Sequence, residues 1–167
     1  AHRRMEQLIE DLLMLAREGE EIADRESVSL AEIARTSWDT VSTNGATLEI
    51  DGDRTLLADP NRLQQLLENL YRNSVEHTES DVTVRIAATD DGFLVADDGP
   101  GIPLSVRERV LEGDYSTEAG GLGIGLMVVD HVASAHGWEL TIGDSTEGGA
   151  CFRFSNVETA DTERSVN

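Results

Sequence analysis

The order of elements along the chain predicts an α+β fold, a two-layer α/β sandwich with a mixed, mostly antiparallel sheet, preceded by one long bundle helix. Amphipathic helices alternate with pairs of short strands, and the strands arrive mostly as hairpins rather than as β-α-β units. The chain of 167 residues is long enough for one domain with an appended helix. A doubly wound parallel sheet is therefore disfavoured.

The first predicted element is a bundle helix over residues 1–23. Met5, Leu8, Leu12 and Leu15 recur at spacings of three and four, which places them along one face of a helix. Because little sequence precedes this apolar stripe, we expect it to pack on another chain or on a helix outside this sequence.

The next elements are two helices with a strand pair between them. Ser29 is a predicted N-cap with Glu32 three residues later, as in a capping box. Asp59 caps the second helix, and Pro60 occupies its first turn. Between the helices, "TLEID" (47–51) and "RTLLA" (54–58) are predicted to form a hairpin around an Asp-Gly turn signal.

The second half of the chain contains two further predicted hairpins and one helix. "VTVRIAAT" (82–89) pairs with "FLVAD" (93–97), a helix spans 125–135, and "ELTIGDS" (139–145) pairs with "ACFRFSN" (150–156). These elements define one domain over residues 28–156. Residues 157–167 have little apolar content and are predicted to be a disordered tail.

The composition limits the classes of partner. There are 33 acidic residues against 13 basic ones, the formal net charge is −20, and every basic residue is an arginine. Such a surface repels nucleic acid and anionic lipid, so neither nucleic-acid binding nor direct membrane contact is expected. An acidic chain without lysine resembles proteins of cytoplasms rich in potassium chloride, which predicts a cytoplasmic, halophilic and haloarchaeal protein. The single Cys151 excludes an internal disulfide.

Two glycine-rich stretches are candidates for ligand binding. Asp97, Gly99 and Gly101 follow a strand, where an acid can accept a hydrogen bond from an exocyclic amine, although the pattern alone fits a tight turn equally well. In "GGLGIGL" (120–126), Gly121, Gly123 and Gly125 lead into a helix, and bare N–H groups there suit phosphate. A dinucleotide-binding β-α-β unit is disfavoured because a loop precedes the cluster.

Asn69 and Asn73 form the third candidate cluster. Their spacing places both amides on one helix face at the border of the apolar stripe. Amides at such a position are either capping or solvent-facing groups, or ligand contacts. As ligands, their oxygens suit a Mg²⁺ ion that already carries phosphate oxygens and waters.

Taken together in this order, with "GGACF" (148–152) as a fourth motif, these stretches resemble the N, G1, G2 and G3 boxes of sensor histidine kinases. Those kinases share an ATPase superfamily with type II topoisomerases, certain chaperones and mismatch-repair ATPases. The resemblance covers residues 28–156 and implies a Bergerat-type ATP-binding fold. The stretch "RRMEQLIEDLLMLARE" (3–18) resembles the second helix of the kinases' dimerisation hairpin, which implies a homodimer through this helix.

The resemblance also implies roles for individual residues. Asn73 would bind Mg²⁺, Asn69 would complete the catalytic polar face, and Asp97 would accept the adenine amino group. The loop 104–119 would be an ATP lid. The glycines of the second cluster would surround the triphosphate. The remaining implied nucleotide contacts are His77, Gly99, Gly101, Ile102, Gly121, Leu122, Gly123, Ile124, Gly125 and Leu126.

The function implied is binding of Mg·ATP, transfer of the γ-phosphoryl group to a histidine upstream of this sequence, and passage to the receiver domain of a response regulator. Glu76 and His77 stand where a lysine is frequent in the family, with Arg72 as a source of positive charge. Leu122 replaces a common threonine, while Leu111 and Tyr115 stand in place of a phenylalanine-rich box. The alternatives are a nucleotide-sensing interaction module, an anti-sigma-type serine kinase and a hydrolytic ATPase clamp.

Overall fold

The computed structural model describes Ile9 and residues 25–41, 45–76, 81–99, 122–146 and 148–159. The predicted bundle helix (apart from Ile9), the predicted lid 104–119 and residues 160–167 lie outside these ranges. None of the helices within the ranges has the length and apolar character needed to cross a membrane. The elements follow the order β1 (Glu26–Ser29), α1 (Leu30–Asp39), β2 (Thr47–Asp51), β3 (Thr55–Ala58), α2 (Pro60–Glu76), β4 (Thr83–Thr89), β5 (Gly92–Asp97), α3 (Leu122–His136), β6 (Glu139–Asp144) and β7 (Ala150–Ser155).

The larger of two described sheets has five strands in the order β2-β4-β5-β7-β6. Strands β2 and β4 are parallel, and the other three neighbouring pairs are antiparallel. The predicted hairpins β4–β5 and β6–β7 are both confirmed. The predicted α+β fold with a mixed, mostly antiparallel sheet is therefore confirmed.

The predicted hairpin over residues 47–58 is wrong. Strand β2 pairs with β4, so that Leu48 lies opposite Val84, while β3 pairs with β1 in a separate two-stranded sheet. The turn residue Asp53 has another role, because its Oδ1 accepts a hydrogen bond from the backbone N–H of Ala31 at 3.0 Å. The Asp53 carboxylate thereby caps the start of α1 together with Ser29. Because Asp53 is bound there, it does not take part in the tight turn of a hairpin.

Both predicted N-caps are confirmed. The Ser29 hydroxyl accepts the N–H of Glu32 at 3.2 Å. The Asp59 carboxylate accepts the N–H groups of Asn61 and Arg62 at 3.0 and 3.3 Å. The third helix differs from the prediction, since it begins at Leu122 rather than at residue 125.

One hydrophobic core joins the described helices to a single face of the main sheet. The sheet contributes the stacked rings of Phe93 and Phe154, whose centroids lie 4.7 Å apart, and Trp138 meets Phe93 edge-on. Complete burial of such side chains contributes about 1.5–3 kcal/mol each. Helices α2 and α3 rest on this core through residues without exposed surface, among them Leu66, Leu67, Tyr71, Leu126 and Val129.

The C-terminal end of α3 is joined to the N-terminal end of α2 by His136. Its Nε2 accepts the backbone N–H of Asp59 at 3.0 Å, and its Nδ1 donates to the Val132 carbonyl at 2.8 Å. The ring stacks on Trp138 at 4.2 Å, and burial lowers the pKa of His136 below its usual range. The neutral ring is thus part of the packing between the two helices.

The predicted disordered tail begins too early. Val157 and Thr159 are buried, and Thr159 forms a β-bridge with Leu56 of β3. The Glu158 carbonyl accepts the N–H of Leu57 at 3.0 Å, and its carboxylate lies 3.7 Å from Arg25. Residues 157–159 therefore extend the small sheet, because a few backbone hydrogen bonds and one buried valine compensate for the low apolar content.

Candidate functional site

A buried carboxylate lies where β5 ends. Asp97, the last residue of the strand, is only 8% exposed. Its Oδ2 accepts the Ser74 hydroxyl at 2.7 Å, and its Oδ1 accepts the backbone N–H groups of Gly99 and Ala150 at 3.0 and 3.1 Å. Because burying an acid is costly unless donors surround it, these three hydrogen bonds hold the carboxylate in one orientation.

The close approach of Gly149 makes this arrangement possible. A Cβ at Gly149 would lie 2.2 Å from both Oδ1 and the backbone oxygen of Asp97. Real side chains do not approach so closely, so residue 149 has to be glycine for Ala150 to reach the carboxylate. The second glycine of "GGACF", Gly149, is thus required by its close contact with Asp97.

Asn69 and Asn73 lie one turn apart on α2, and their amide oxygens face the first turn of α3. A Cβ at Gly125 would lie 3.3 Å from Asn69 Oδ1 and 3.7 Å from Asn73 Oδ1. Asn69 is buried, and its Nδ2 donates to the Gln65 carbonyl at 2.8 Å. The absence of a side chain at Gly125 therefore leaves space beside two amide oxygens.

Two side-chain donors on this stretch of α2 have no partner within the described ranges. They are Nδ2 of Asn73 and Nη2 of Arg72, and both are buried. Arg72 precedes Asn73 and lies three residues after Asn69, on adjoining faces of α2. A buried donor without an acceptor is costly, so this part of the site is suited to a ligand that carries acceptor oxygens.

The donor set fits a phosphate group and a hard cation. Amide oxygens are ligands that Mg²⁺ accepts, usually together with waters and substrate phosphates. Helix α3 is fifteen residues long. Its N-terminal end presents backbone N–H groups that have no partner within the helix, together with the positive end of the helix dipole. Asn69, Asn73 and the start of α3 are thus the residues that could hold a metal-bound phosphate.

The predicted site residues divide into four groups. Asn69, Asn73, Asp97, Gly99 and Gly125 are brought together around the ends of α2, β5 and α3. Leu122, Gly123 and Ile124 form the first turn of α3, where only their backbone is described, and His77, Gly101, Ile102 and Gly121 lie outside the described residues. The side chain of Leu126 lies in the hydrophobic core with no exposed surface, so a contact of this residue with the nucleotide would have to come from its backbone.

Sequence reasoning missed Ser74, and it included Gly149 within the "GGACF" motif without giving it a role. Ser74 follows Leu66, Leu67 and Leu70 on the apolar face of α2, and a hydroxyl at such a position requires a buried partner. That polar residue in an apolar stripe was the available signal. The role of Gly149 could not be read from its motif, since its contact with Asp97 depends on the pairing of β5 with β7.

Comparison with known proteins places this site in a family. Residues 58–160 match the family described as histidine kinase-, DNA gyrase B- and HSP90-like ATPases. The chain is 36% identical over 107 residues to the adaptive-response sensory kinase SasA of Trichormus variabilis, covering 59% of this chain and 27% of that protein. It is 31% identical over 166 residues to the sensor histidine kinase CpxA of Escherichia coli, covering 87% of this chain and 35% of CpxA.

A solved structure shares the architecture. Full-length ShkA in complex with AMPPNP superposes with a TM-score of 0.71 at 28% identity, over 94% of this chain and 36% of ShkA. The chain spans about a quarter to a third of the length of the two curated kinases. The family match covers residues 58–160, which include Asn69, Asn73, Asp97, Gly125 and Gly149. The chain therefore belongs to the family of histidine kinase-, DNA gyrase B- and HSP90-like ATPases.

Proposed function

We propose that this chain is the ATP-binding catalytic domain of a two-component sensor histidine kinase. It would bind Mg·ATP and transfer the γ-phosphoryl group to a histidine of the kinase, from which the group passes to an aspartate of a response-regulator receiver domain. The observation that carries the proposal is the position of α2 between two polar clusters. Ser74 contacts the buried Asp97 on one side, and Asn69 and Asn73 approach Gly125 on the other.

Each cluster suits one part of ATP. The Asp97 carboxylate can accept a hydrogen bond from the adenine 6-amino group, and because glycine has no side chain, Gly99 and Gly101 would allow the ring to approach. The N–H groups at the start of α3 would bind the phosphates, assisted by His77 and by the Arg72 guanidinium. Bound at Asn73 and Asn69, Mg²⁺ would neutralise phosphate charge during transfer.

The relatives support this assignment. SasA and CpxA are named as sensor kinases, and ShkA was solved with the ATP analogue AMPPNP. The similarity extends over 87% of this chain for CpxA and 94% for ShkA, so it includes parts beyond residues 58–160. We infer from it that residues 1–23 belong to a dimerisation hairpin and that the kinase acts as a homodimer.

A hydrolytic clamp is the less favoured function. A clamp needs a general base beside the attacking water, and Glu68 is the carboxylate nearest in sequence to the asparagine pair. The Glu68 Oε2 accepts hydrogen bonds from Thr40 at 2.8 Å and from Gln64 at 2.9 Å. These partners direct it towards the end of α1 rather than towards Gly125, so it is poorly placed to activate water.

The acidic surface supports a halophilic, haloarchaeal source. With a formal charge of −20 and no lysine, the chain repels itself strongly at low ionic strength. At 1 M salt the screening length falls to about 3 Å, which removes most of that repulsion. We therefore expect the folded state to require molar potassium chloride, and binding experiments belong in that medium.

Calorimetric titration with AMPPNP in molar potassium chloride, with and without Mg²⁺, tests the function. Asp97→Asn should weaken binding by about tenfold or more, since it removes a charged acceptor. Asp98→Asn is the matched control, because this exposed neighbour loses the same charge while its side-chain oxygen can still accept the N–H of Thr83. No binding by a folded wild-type chain would overturn the proposal. So would equal effects of the two variants.

A further inference from the structure

The Ser74 hydroxyl occupies a specific acceptor position on Asp97. An ionised carboxylate has about four acceptor positions on its two oxygens. Within the described residues, Gly99 and Ala150 occupy both positions on Oδ1, and Ser74 occupies one of those on Oδ2. No other described residue occupies the second position on Oδ2, so a ligand could take it.

We propose that Ser74 is a positioning residue that makes the nucleotide site selective for a purine with a 6-amino group. The proposal rests on the proposed function, in which Asp97 meets the base. Because the carboxylate can only accept, its remaining position attracts the 6-amino group of adenine and repels the 6-oxo group of guanine or hypoxanthine. Ser74 determines which side of Oδ2 this remaining position faces.

The surroundings of Ser74 explain why the hydroxyl has this effect. Ser74 is 7% exposed and Asp97 is 8% exposed, so bulk water has little access to the bond between them. If the hydroxyl is removed, Oδ2 has two open acceptor positions in place of one. The orientation of the carboxylate is then less restricted when the 6-amino group binds. The amino group also has to displace an additional water from Oδ2.

A comparison of two nucleotides isolates this effect. Wild type and Ser74→Ala are titrated in molar potassium chloride with Mg²⁺, using ATP and purine riboside triphosphate, which lacks the 6-amino group. The Ser74→Ala variant should bind ATP about tenfold more weakly, the scale of one hydrogen bond to a charged group. Its affinity for purine riboside triphosphate should stay within about twofold of wild type.

Ser37→Ala is the matched control. Ser37 is a fully buried helical serine whose hydroxyl donates to the Ile33 carbonyl of its own helix at 2.6 Å. It has no link to Asp97, so its removal should leave both affinities unchanged. Alanine fits the space of serine and favours the helix, and far-UV circular dichroism verifies that each variant is folded.

The outcomes separate this proposal from the proposed function. If Ser74→Ala weakens both nucleotides equally, or neither, Ser74 is only a packing residue and the inference is wrong. In that case the wild type still binds ATP and still depends on Asp97. If the wild type binds neither nucleotide, the proposed function itself fails.

Discussion

At one end of the candidate site, the buried Asp97 carboxylate accepts hydrogen bonds from Ser74, Gly99 and Ala150. At the other end, Asn73 keeps a buried donor without a partner in the described part of the chain. At the first end the protein itself supplies three of the hydrogen bonds to the carboxylate, and at the second end a ligand would have to supply the acceptors. Substitutions at the first end should therefore cost both stability and binding, and those at the second should cost binding alone.

Gly149→Ala should have the largest effect. The added Cβ would lie 2.2 Å from the backbone oxygen of Asp97, which cannot move without disturbing the pairing of β5 and β7. We expect the free energy of unfolding to fall by about 2–3 kcal/mol, as for an overpacked core, and ATP binding to be lost. Urea unfolding in molar potassium chloride measures the first effect, and calorimetry measures the second.

Gly143→Ala is the control for that substitution. A Cβ at Gly143 in β6 meets no atom within 4 Å, so this variant should unfold like the wild type. Equal unfolding midpoints for the two variants would contradict the claim that Asp97 is held by a tight backbone contact.

Gly125→Ala tests the opposite end and should separate binding from stability. The new methyl group would lie 3.3 Å from Asn69 Oδ1 and 3.7 Å from Asn73 Oδ1, in the space beside both amides. Affinity for Mg·ATP should fall by about thirtyfold, which corresponds to about 2 kcal/mol. Stability should hold or rise by up to about 1 kcal/mol, because alanine is the better helix former. A variant that loses stability as Gly149→Ala does would remove the distinction between the two ends.

Asn73→Ala should have a smaller effect that depends on the metal. Removing the amide deletes one candidate Mg²⁺ ligand, so affinity for ATP should fall by about tenfold with Mg²⁺ and change little with a chelator. Stability should be unchanged or rise by about 1 kcal/mol, since a buried donor without a partner is removed.

Asn61→Ala, on the exposed surface at the start of α2, is the matched amide deletion. It should leave binding unchanged under both conditions. An Asn73→Ala variant that loses the same affinity with and without Mg²⁺ would assign the amide to the nucleotide rather than to the metal.

The two ends also differ in how well sequence could predict them. Asn69, Asn73 and Asp97 were identifiable because their spacing and strand-end position carry the chemistry. The start of α3 was placed too late because glycines have low helix propensity, which tertiary packing of Gly125 against the amides overrides.

The pairing of β2 could not be predicted for a different reason. An Asp-Gly signal and alternating apolar residues are common to a hairpin and to two separate strands. What favours two separate strands here is a long-range contact, in which the Asp53 carboxylate accepts a hydrogen bond from the N–H of Ala31. Ser74 at the site likewise depends on a long-range contact that the sequence does not specify. Its polarity indicates a buried partner, but only the fold identifies that partner as Asp97.

The smallest effect is expected far from both ends, at His136, which joins the helices that carry them. An unfolded histidine titrates at about pH 6.5, and burial holds the pKa of His136 lower, with Arg25 and Arg62 also opposing protonation and Asp59 favouring it. Stability is therefore complete above about pH 6.5 and falls as the pH decreases towards the lower folded value, because the unfolded chain takes up the proton first.

Wild type should melt at a lower temperature at about pH 5.5 than at about pH 7.5, and His136→Gln should show a smaller difference. If His136→Gln keeps the wild-type difference, the acid sensitivity arises elsewhere than in the contact between His136 and Asp59.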